Sequence, residues 1–451
     1  MGCRTTILAP VPLPRYPPAV TFEPLLDPVP PVHDAAPSPA LRQNAAFVRL
    51  WAATTVSVFG SFVTRIALPF VAILVLRAGP FDVAILRSLE LIAALVVGFA
   101  AGAWVDRLRR RPVMIWADLG RAALLATIPL GYMGGWLTLG QVFAVAAAAA
   151  VLTTFFDVAD RAYLPSIVPR TELVRANATL TASISAMEFI GFGVAGFLVS
   201  LLTAPIAILI DAVSFLFSAA FLRTIRTPEP PPPPPEDREP VLHEIREGLR
   251  AVRDDRVVLG LVGSGMGLAA MWGVFGATWM LFVVEELHIG PEVIGVIAAL
   301  GGFGSLFGAL LAERVTTRWG FGRVLVIATL FVALGNLLIP LAPAALPVVA
   351  IGCLVGQQLI GDTAMTVFDV AVTSVLQRRV DDRRLGRVNA TVRVGGAMAQ
   401  LTATLAGGLL AEAIGLRGAA FLAPAAALIG TVVLLASPAR SLGRDVEREA
   451  A

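Results

Sequence analysis

Short runs of residues in this chain return at one fixed spacing. Phe156-Asp157-Val158-Ala159 recurs as Phe368-Asp369-Val370-Ala371, and Arg175-x-Asn177-Ala178-Thr179 recurs as Arg387-x-Asn389-Ala390-Thr391, each 212 residues later. Leu164, Val168 and Gly196 match Leu376, Val380 and Gly408 at the same spacing. One spacing held across several matches, with no insertion between them, marks a duplicated unit about half the chain long. The chain is therefore expected to fold as two like halves, with any shared site at the interface between them.

Each half has room for six membrane spans. From Ala46 onward, apolar stretches long enough to cross ~30 Å of hydrocarbon as helices follow one another. They lie near 47–76, 82–105, 113–134, 141–164, 176–200 and 204–223, then near 257–286, 291–313, 322–341, 346–376, 388–412 and 417–436. Composition agrees, with 57% hydrophobic and 15% charged residues, whereas a soluble domain carries about 25% charged residues. The fold class expected is an all-α integral membrane protein of twelve spans in two pseudo-symmetric six-helix bundles, 46–223 and 257–437.

The basic residues are all Arg, since the sequence has no Lys. A Walker phosphate loop requires Lys, as does Schiff-base chemistry, so neither can operate here. Cys3 and Cys353 form no C-x-x-C pair, and His33, His243 and His288 are scattered. Neither a metal site nor a disulfide framework is expected, and no cofactor.

The Arg residues cluster in alternate loops. One set holds Arg107 and Arg109 to Arg111; others hold Arg170 and Arg175, Arg314 to Arg323, and Arg378 to Arg387. The remaining loops, such as Gly134-Gly135-Trp136, are short and nearly free of Arg. By the positive-inside rule the Arg-rich side is cytoplasmic, with both termini there, in a cell inner (plasma) membrane. Residues 1–45 and 438–451 read as cytoplasmic tails, the first Pro-rich and disordered and without a signal peptide. The linker 224–256 holds six consecutive prolines, Pro230 to Pro235, a polyproline II spacer of ~19 Å. Beyond them Leu242, Ile245, Leu249 and Val252 alternate with charges as in an amphipathic surface helix.

After the second span the chain reads Gly102-Ala-Trp-Val-Asp106-Arg107-Leu-Arg109-Arg110-Arg111. This resembles the G-x-L-a-D-R-x-G-R-R signature of the major facilitator superfamily, with Arg109 where that family has Gly. A worn copy begins at Gly308, with Thr317 at the acid position. The resemblance covers about 46–437. Its wording is similar to the bacterial macrolide-efflux and enterobactin-export branch: Ala117-Asp118-Leu119-x-Arg121, Asp211-Ala-Val-Ser-Phe215 and Glu247-Gly248-Leu249. It implies a cytoplasmic latch. Gly102 permits close helix approach, and Asp106 accepts hydrogen bonds at the start of the eleventh span, near Arg387 to Ala390. Arg107, Arg110 and Arg111 would pair with Asp157, Asp160 and Asp369, with Arg175 and Arg387 as helix-end anchors nearby. Asn177 and Asn389 read as N-caps of the fifth and eleventh spans. The run Gly191-Phe192-Gly193-Val194-Ala195-Gly196 resembles the family's exporter-associated G-P-x-x-G-G element, with Phe192 replacing Pro.

Charges at mid-bilayer cost at least ~2.5–3.5 kcal/mol on insertion scales and mark functional candidates. Arg65, Glu90 (three residues after Arg87), Glu188, Asp211, Gln357, Gln358 and Asp362 are the candidates for transport or proton coupling. A Glu188 that exchanges a proton would couple transport to a gradient. The function expected is proton-coupled efflux of a bulky, partly apolar small molecule, such as an antibiotic, siderophore or mixed drugs, by alternating access. The alternatives are a transporter of a defined metabolite or metal chelate, and a non-transporting receptor or scaffold. No nucleophile–base pair points to an enzyme. The expected partners are a small-molecule substrate, protons and the lipid bilayer, without nucleic acid, in a chain acting as a monomer.

Overall fold

The computed structural model describes the backbone of residues 41–105, 108–227, 229 and 241–443. The first half consists of α1 (Ala45–Phe70), α2 (Pro80–Val105), α3 (Arg110–Met133), α4 (Leu139–Ile167), α5 (Leu173–Leu202) and α6 (Ala204–Thr224). A linker helix α7 (Val241–Asp254) leads to α8 (Arg256–Leu281), α9 (Pro291–Trp319) and α10 (Phe321–Leu341). The tenth span is broken into α11 (Pro347–Gln357) and α12 (Thr363–Arg379) by a π-helical turn, Gln358–Asp362. Then come α13 (Asp382–Ile414), α14 (Leu416–Ala420) and α15 (Leu422–Ala436).

Eleven helical segments among the described residues are long and apolar enough to cross a membrane, and the 26-residue α2 completes the expected twelve. Several helices outrun the apolar stretches that announced them. At 1.5 Å per residue the 33-residue α13 is about 50 Å long, so its polar start stands outside the hydrocarbon. The last span breaks at Phe421 because Pro424 has no N–H to bond the carbonyl of Ala420.

The duplication extends to backbone details that the letters conceal. Asn44 caps α1 by accepting the N–H groups of Ala46 and Phe47, and Asp255 caps α8 by accepting those of Val257 and Val258. A π-turn ends the first span at Val71–Val75 and the seventh at Phe282–Glu286. Arg77 and His288, each just beyond, have φ of 55° and 54°. These pairs are 211 residues apart, one fewer than the sequence repeat, so the second copy gains a residue between the counterparts of Arg77 and Phe156, an interval that holds the π-turn Gln358–Asp362. Thr203 (φ 75°) and Gly415 (φ 80°) match at 212 and turn the chain after α5 and α13.

Asp255 does a second job. Partial burial pushes its carboxyl up, but the Arg379 hydrogen bond, the Val257 and Val258 N–H groups and the Arg379 charge outweigh burial and hold it below the usual carboxylate range. The linker is fastened at both described ends. The Glu229 carboxylate accepts the N–H groups of Arg110 and Arg111 at the start of α3, and Glu247 on α7 pairs with Arg387 on α13.

The two halves meet along α5 with α9 and along α2 with α13. Both seams are closed at the end away from the Arg-rich loops. A Cβ on Gly196 would lie 2.3 Å from the Pro291 carbonyl oxygen and 2.8 Å from Gly295 Cα. A Cβ on Gly408 would lie 2.5 Å from Ala84 Cβ and 3.1 Å from the Pro80 oxygen. The repeated glycines thus hold equivalent positions on the two seams. Towards the Arg-rich end the same helices part. There α5 exposes Val174, Ile184 and Phe189, and α9 exposes Phe303, Phe307 and Leu310.

Candidate functional site

The space between the parted helices collects charged and aromatic side chains. Arg65 on α1 is exposed, its guanidinium carbon 5.4 Å from the Phe62 ring centroid. Phe62 packs edge-on to Phe192 of α5 at 4.9 Å, and Gly191 makes room for it, since a Cβ there would lie 2.8 Å from Phe62 Cβ. One turn before Phe192, Glu188 is exposed. Its neighbour Phe189 meets Phe303 of α9 across the seam at 4.8 Å between ring centroids. Asp362, in the π-turn of the second half, is within electrostatic reach of Glu188. Gln358 and Asp362 press on the glycine face of α9, where a Cβ on Gly301 would lie 2.4 Å from Asp362 Oδ2 and 2.6 Å from Gln358 Nε2. Glu188 and Asp362 therefore approach each other between the halves, and Arg65 stands on the first-half side beside Phe62.

Other candidates stand elsewhere. Asp211 is 1% exposed and accepts a hydrogen bond from Ser214. It faces α1, where a Cβ on Gly60 would lie 2.6 Å from its Oδ1, so it packs helices rather than lining the opening. Gln357 is 2% exposed, and its Nε2 and the Asn336 Nδ2 of α10 both lie beside Gly361. Glu90 pairs with Arg87 at 3.6 Å on the same helix.

The expected latch is only partly within view. Asp106 and Arg107 lie outside the described residues, and Gly102 falls inside α2. Arg111 donates from Nε to the Leu222 carbonyl at 2.9 Å and from its guanidinium to that of Arg223 at 2.6 Å. This corrects the expected pairing with Asp157, Asp160 or Asp369: Arg111 satisfies the orphan carbonyls at the C-terminus of α6. The Arg110 backbone N–H is accepted by Glu229, and its side-chain Nε is buried with no hydrogen-bond partner among the described residues. Arg175 reaches Glu172 at 4.0 Å within its own turn, and Arg387 pairs with the linker. Asp157 and Asp369 are exposed on α4 and α12. Asn177 and Asn389 are not caps. A 3-10 turn, Arg170–Glu172, starts α5 early, so Asn177 sits inside it and donates to the Leu173 carbonyl; Asn389 lies inside α13.

A buried charge cluster in the first half escaped the search for candidates. Asp118 (0% exposed) and Arg121 (4%) on α3 form an ion pair. The guanidinium lies between the rings of Phe156 at 4.5 Å and Phe215 at 4.0 Å, and donates to Thr153 Oγ1 at 3.3 Å. The available signal was two opposite charges at i,i+3 inside an apolar span, noted only as family wording.

The sequence profile of the transmembrane secretion effector family, within the major facilitator superfamily, matches residues 35–449. The chain is a major facilitator superfamily transporter. Among curated relatives, the transporter is 23% identical over 394 residues to the uncharacterised MFS-type transporter YfiS of Bacillus subtilis, covering 84% of this chain and 89% of that one. It is 24% identical over 226 residues, 49% of this chain and 54% of the other, to BacE of Bacillus subtilis, whose name proposes bacilysin export. Among solved structures, the transporter matches a bacterial homologue of the iron transporter ferroportin in its inward-facing state, with TM-score 0.72 and 18% identity, over 88% of this chain and 98% of that one. The outward-facing state of a bacterial ferroportin homologue matches at 0.54, with 18% identity, over 86% of this chain and 98% of that one. Membership makes the protein a multi-pass membrane transporter of a small molecule, not an enzyme, and removes the ground for a non-transporting scaffold.

Proposed function

We propose that this transporter exports a bulky, partly apolar small molecule, coupled to proton entry, by rocking its halves 46–223 and 257–437 about the central opening. The observation that carries the reading is the approach of Glu188 from one half to Asp362 from the other. Two carboxyls within electrostatic reach repel when both are charged, and one proton between them relieves the repulsion. Proton occupancy is thereby tied to how closely the halves approach. The rings of Phe62, Phe189, Phe192 and Phe303 supply apolar walls for a cargo with an apolar body, and Gln358 adds a polar contact.

The Arg-rich end is the cytoplasmic one by charge bias, which puts both termini in the cytoplasm of an inner-membrane protein and makes the present arrangement inward-facing. The higher match to the inward-facing ferroportin relative supports this, as does the seam closure at the far end. Asp106 then engages the start of α13 when the cytoplasmic end closes. The relative named for bacilysin export supports the direction, and the protein acts as a monomer.

Everted vesicles with a panel of antibiotics and siderophores, and the pH gradient imposed or collapsed, test the reading. Accumulation of at least one compound should follow the gradient. Glu188→Gln should abolish uphill movement while protein level and substrate binding persist. Gradient-driven accumulation by Glu188→Gln at the parent rate would remove Glu188 from the mechanism, and gradient-independent accumulation in the parent would remove proton coupling.

A further inference from the structure

We propose that Asp118 beside Arg121 and Asp160 beside Arg161, on the packed helices α3 and α4, form a proton-binding site inside the first half, separate from the central opening. The proposal deepens the proton-coupled reading and rests on it for the site's role in transport. Asp118, on α3, is fully buried, and one of its oxygens takes the ion pair with Arg121. The other, Oδ2, is buried, and the one donor beside it, the Ser218 hydroxyl, stands outside good hydrogen-bond geometry. Asp160 Oδ1, on α4, is buried with no hydrogen-bond partner among the described residues. A buried carboxylate oxygen without a donor is costly, and a proton on that oxygen removes most of the charge that makes it so.

The charge balance points the same way. The elements packed on α3 are α4 and α6. From α4 come Asp157, Asp160 and Arg161, and from α6 comes Asp211, all in electrostatic contact with the pair or with one another. With Asp118 and Arg121 that makes four carboxyls facing two guanidiniums. The Arg121 guanidinium is enclosed between Phe156 and Phe215. No cluster suited to a metal ion occurs among the described residues, and a proton is the cation that a single buried carboxylate oxygen can hold.

A route exists in this state. Asp157 is exposed where the Arg-rich end is open and lies one turn from Asp160 on the same helix. The proton would pass from the Asp118–Asp160 pair to Asp157 and out to water. Asp118 stands eight residues into α3, about 12 Å along it from the Arg-rich end. The proton belongs to the pair rather than to either acid alone.

Infrared difference spectroscopy of the purified full-length protein in liposomes, titrated with pH, reads this directly. The parent should show the carbonyl stretch of a protonated carboxylic acid that disappears on alkalinisation. Asp118→Asn and Asp160→Asn should each delete or shift a component of it, whereas Glu188→Gln should leave that component in place. Should Asp118→Asn fail to fold, the double variant Asp118→Asn/Arg121→Gln, which removes both charges of the pair, supplies the same readout. Titrating bands identical in the parent, the Asp160→Asn variant and whichever Asp118 variant folds would overturn the site. A band assigned to this pair in a parent whose transport ignores the pH gradient would keep the site and refute the coupling.

Discussion

The glycine seams permit a quantitative test of the closed end. In Gly196→Ala the new methyl group would lie 2.3 Å from the Pro291 carbonyl oxygen, about 1 Å inside ordinary van der Waals contact. The obstructing atoms are backbone of α9, including Gly295, so no side chain can swing away. Overpacking of this kind costs about 1–3 kcal/mol. The penalty applies only while the seam is closed, because α5 and α9 separate there in the opposite state. It therefore moves the equilibrium between the two states by a factor of about 5 to 150. Ala299, 7% exposed and facing Gly193 just below the seam, makes a reporter. In a background with Cys3 and Cys353 replaced by Ser, Ala299→Cys should react with an impermeant thiol reagent from the face opposite the Arg-rich loops. Gly196→Ala should accelerate that reaction by the same factor, until the open state dominates. Gly408→Ala, at the equivalent seam, should do likewise. Gly265→Ala, whose Cβ would meet nothing within 4 Å, is the control. If Gly196→Ala labels no faster than Gly265→Ala, the seam does not limit opening and the argument fails.

Three further outcomes follow from local structure. Thr203 holds φ 75° and ψ 153°, a region costing an L-residue about 1–3 kcal/mol, and its counterpart is Gly415; Thr203→Gly should raise thermal stability in detergent by about 1 kcal/mol, and a lowered midpoint would contradict the strain. Arg417 donates to Glu286 and to the carbonyls of Pro340 and Ala342; Arg417→Lys cannot reproduce that fork and should cost about 2 kcal/mol in the same assay. Asp255→Asn keeps the cap of α8 but loses the ion pair with Arg379. Because the folded carboxyl titrates below its unfolded value, the stabilisation is complete above about pH 4 and disappears as acid carries the pH through the folded value. The stability gap between parent and Asp255→Asn should close over that range, and a gap unchanged in acid would exclude the ion pair as its source.

The spans were legible because a membrane helix announces itself by length and apolarity, neither of which depends on neighbours. Helix starts were less so: Asn177 has the chemistry of a cap, but the 3-10 turn at Arg170–Glu172 nucleates α5 upstream of it. Arg111 was legible as a charge but not in its partners, since the carbonyls ending α6 are a property of the backbone. Asp118 and Arg121 stood in plain letters, yet their complete burial depends on Phe156 and Phe215 arriving from two other helices. The approach of Glu188 to Asp362 joins residues from different halves, a tertiary fact with no local signature.

Anchoring the linker at Glu229 to the first half and at Glu247 to the second has a consequence for assembly. Each half carries its own piece of the connection, and the seams at Gly196 and Gly408 involve no residue from between the anchors. The covalent link then serves mainly to keep the local concentration of each half high for the other. Two genes, encoding residues 1–229 and 236–451, should yield fragments that find each other in the bilayer and restore a working complex. A protein that arose by doubling would in that sense still be divisible at the join.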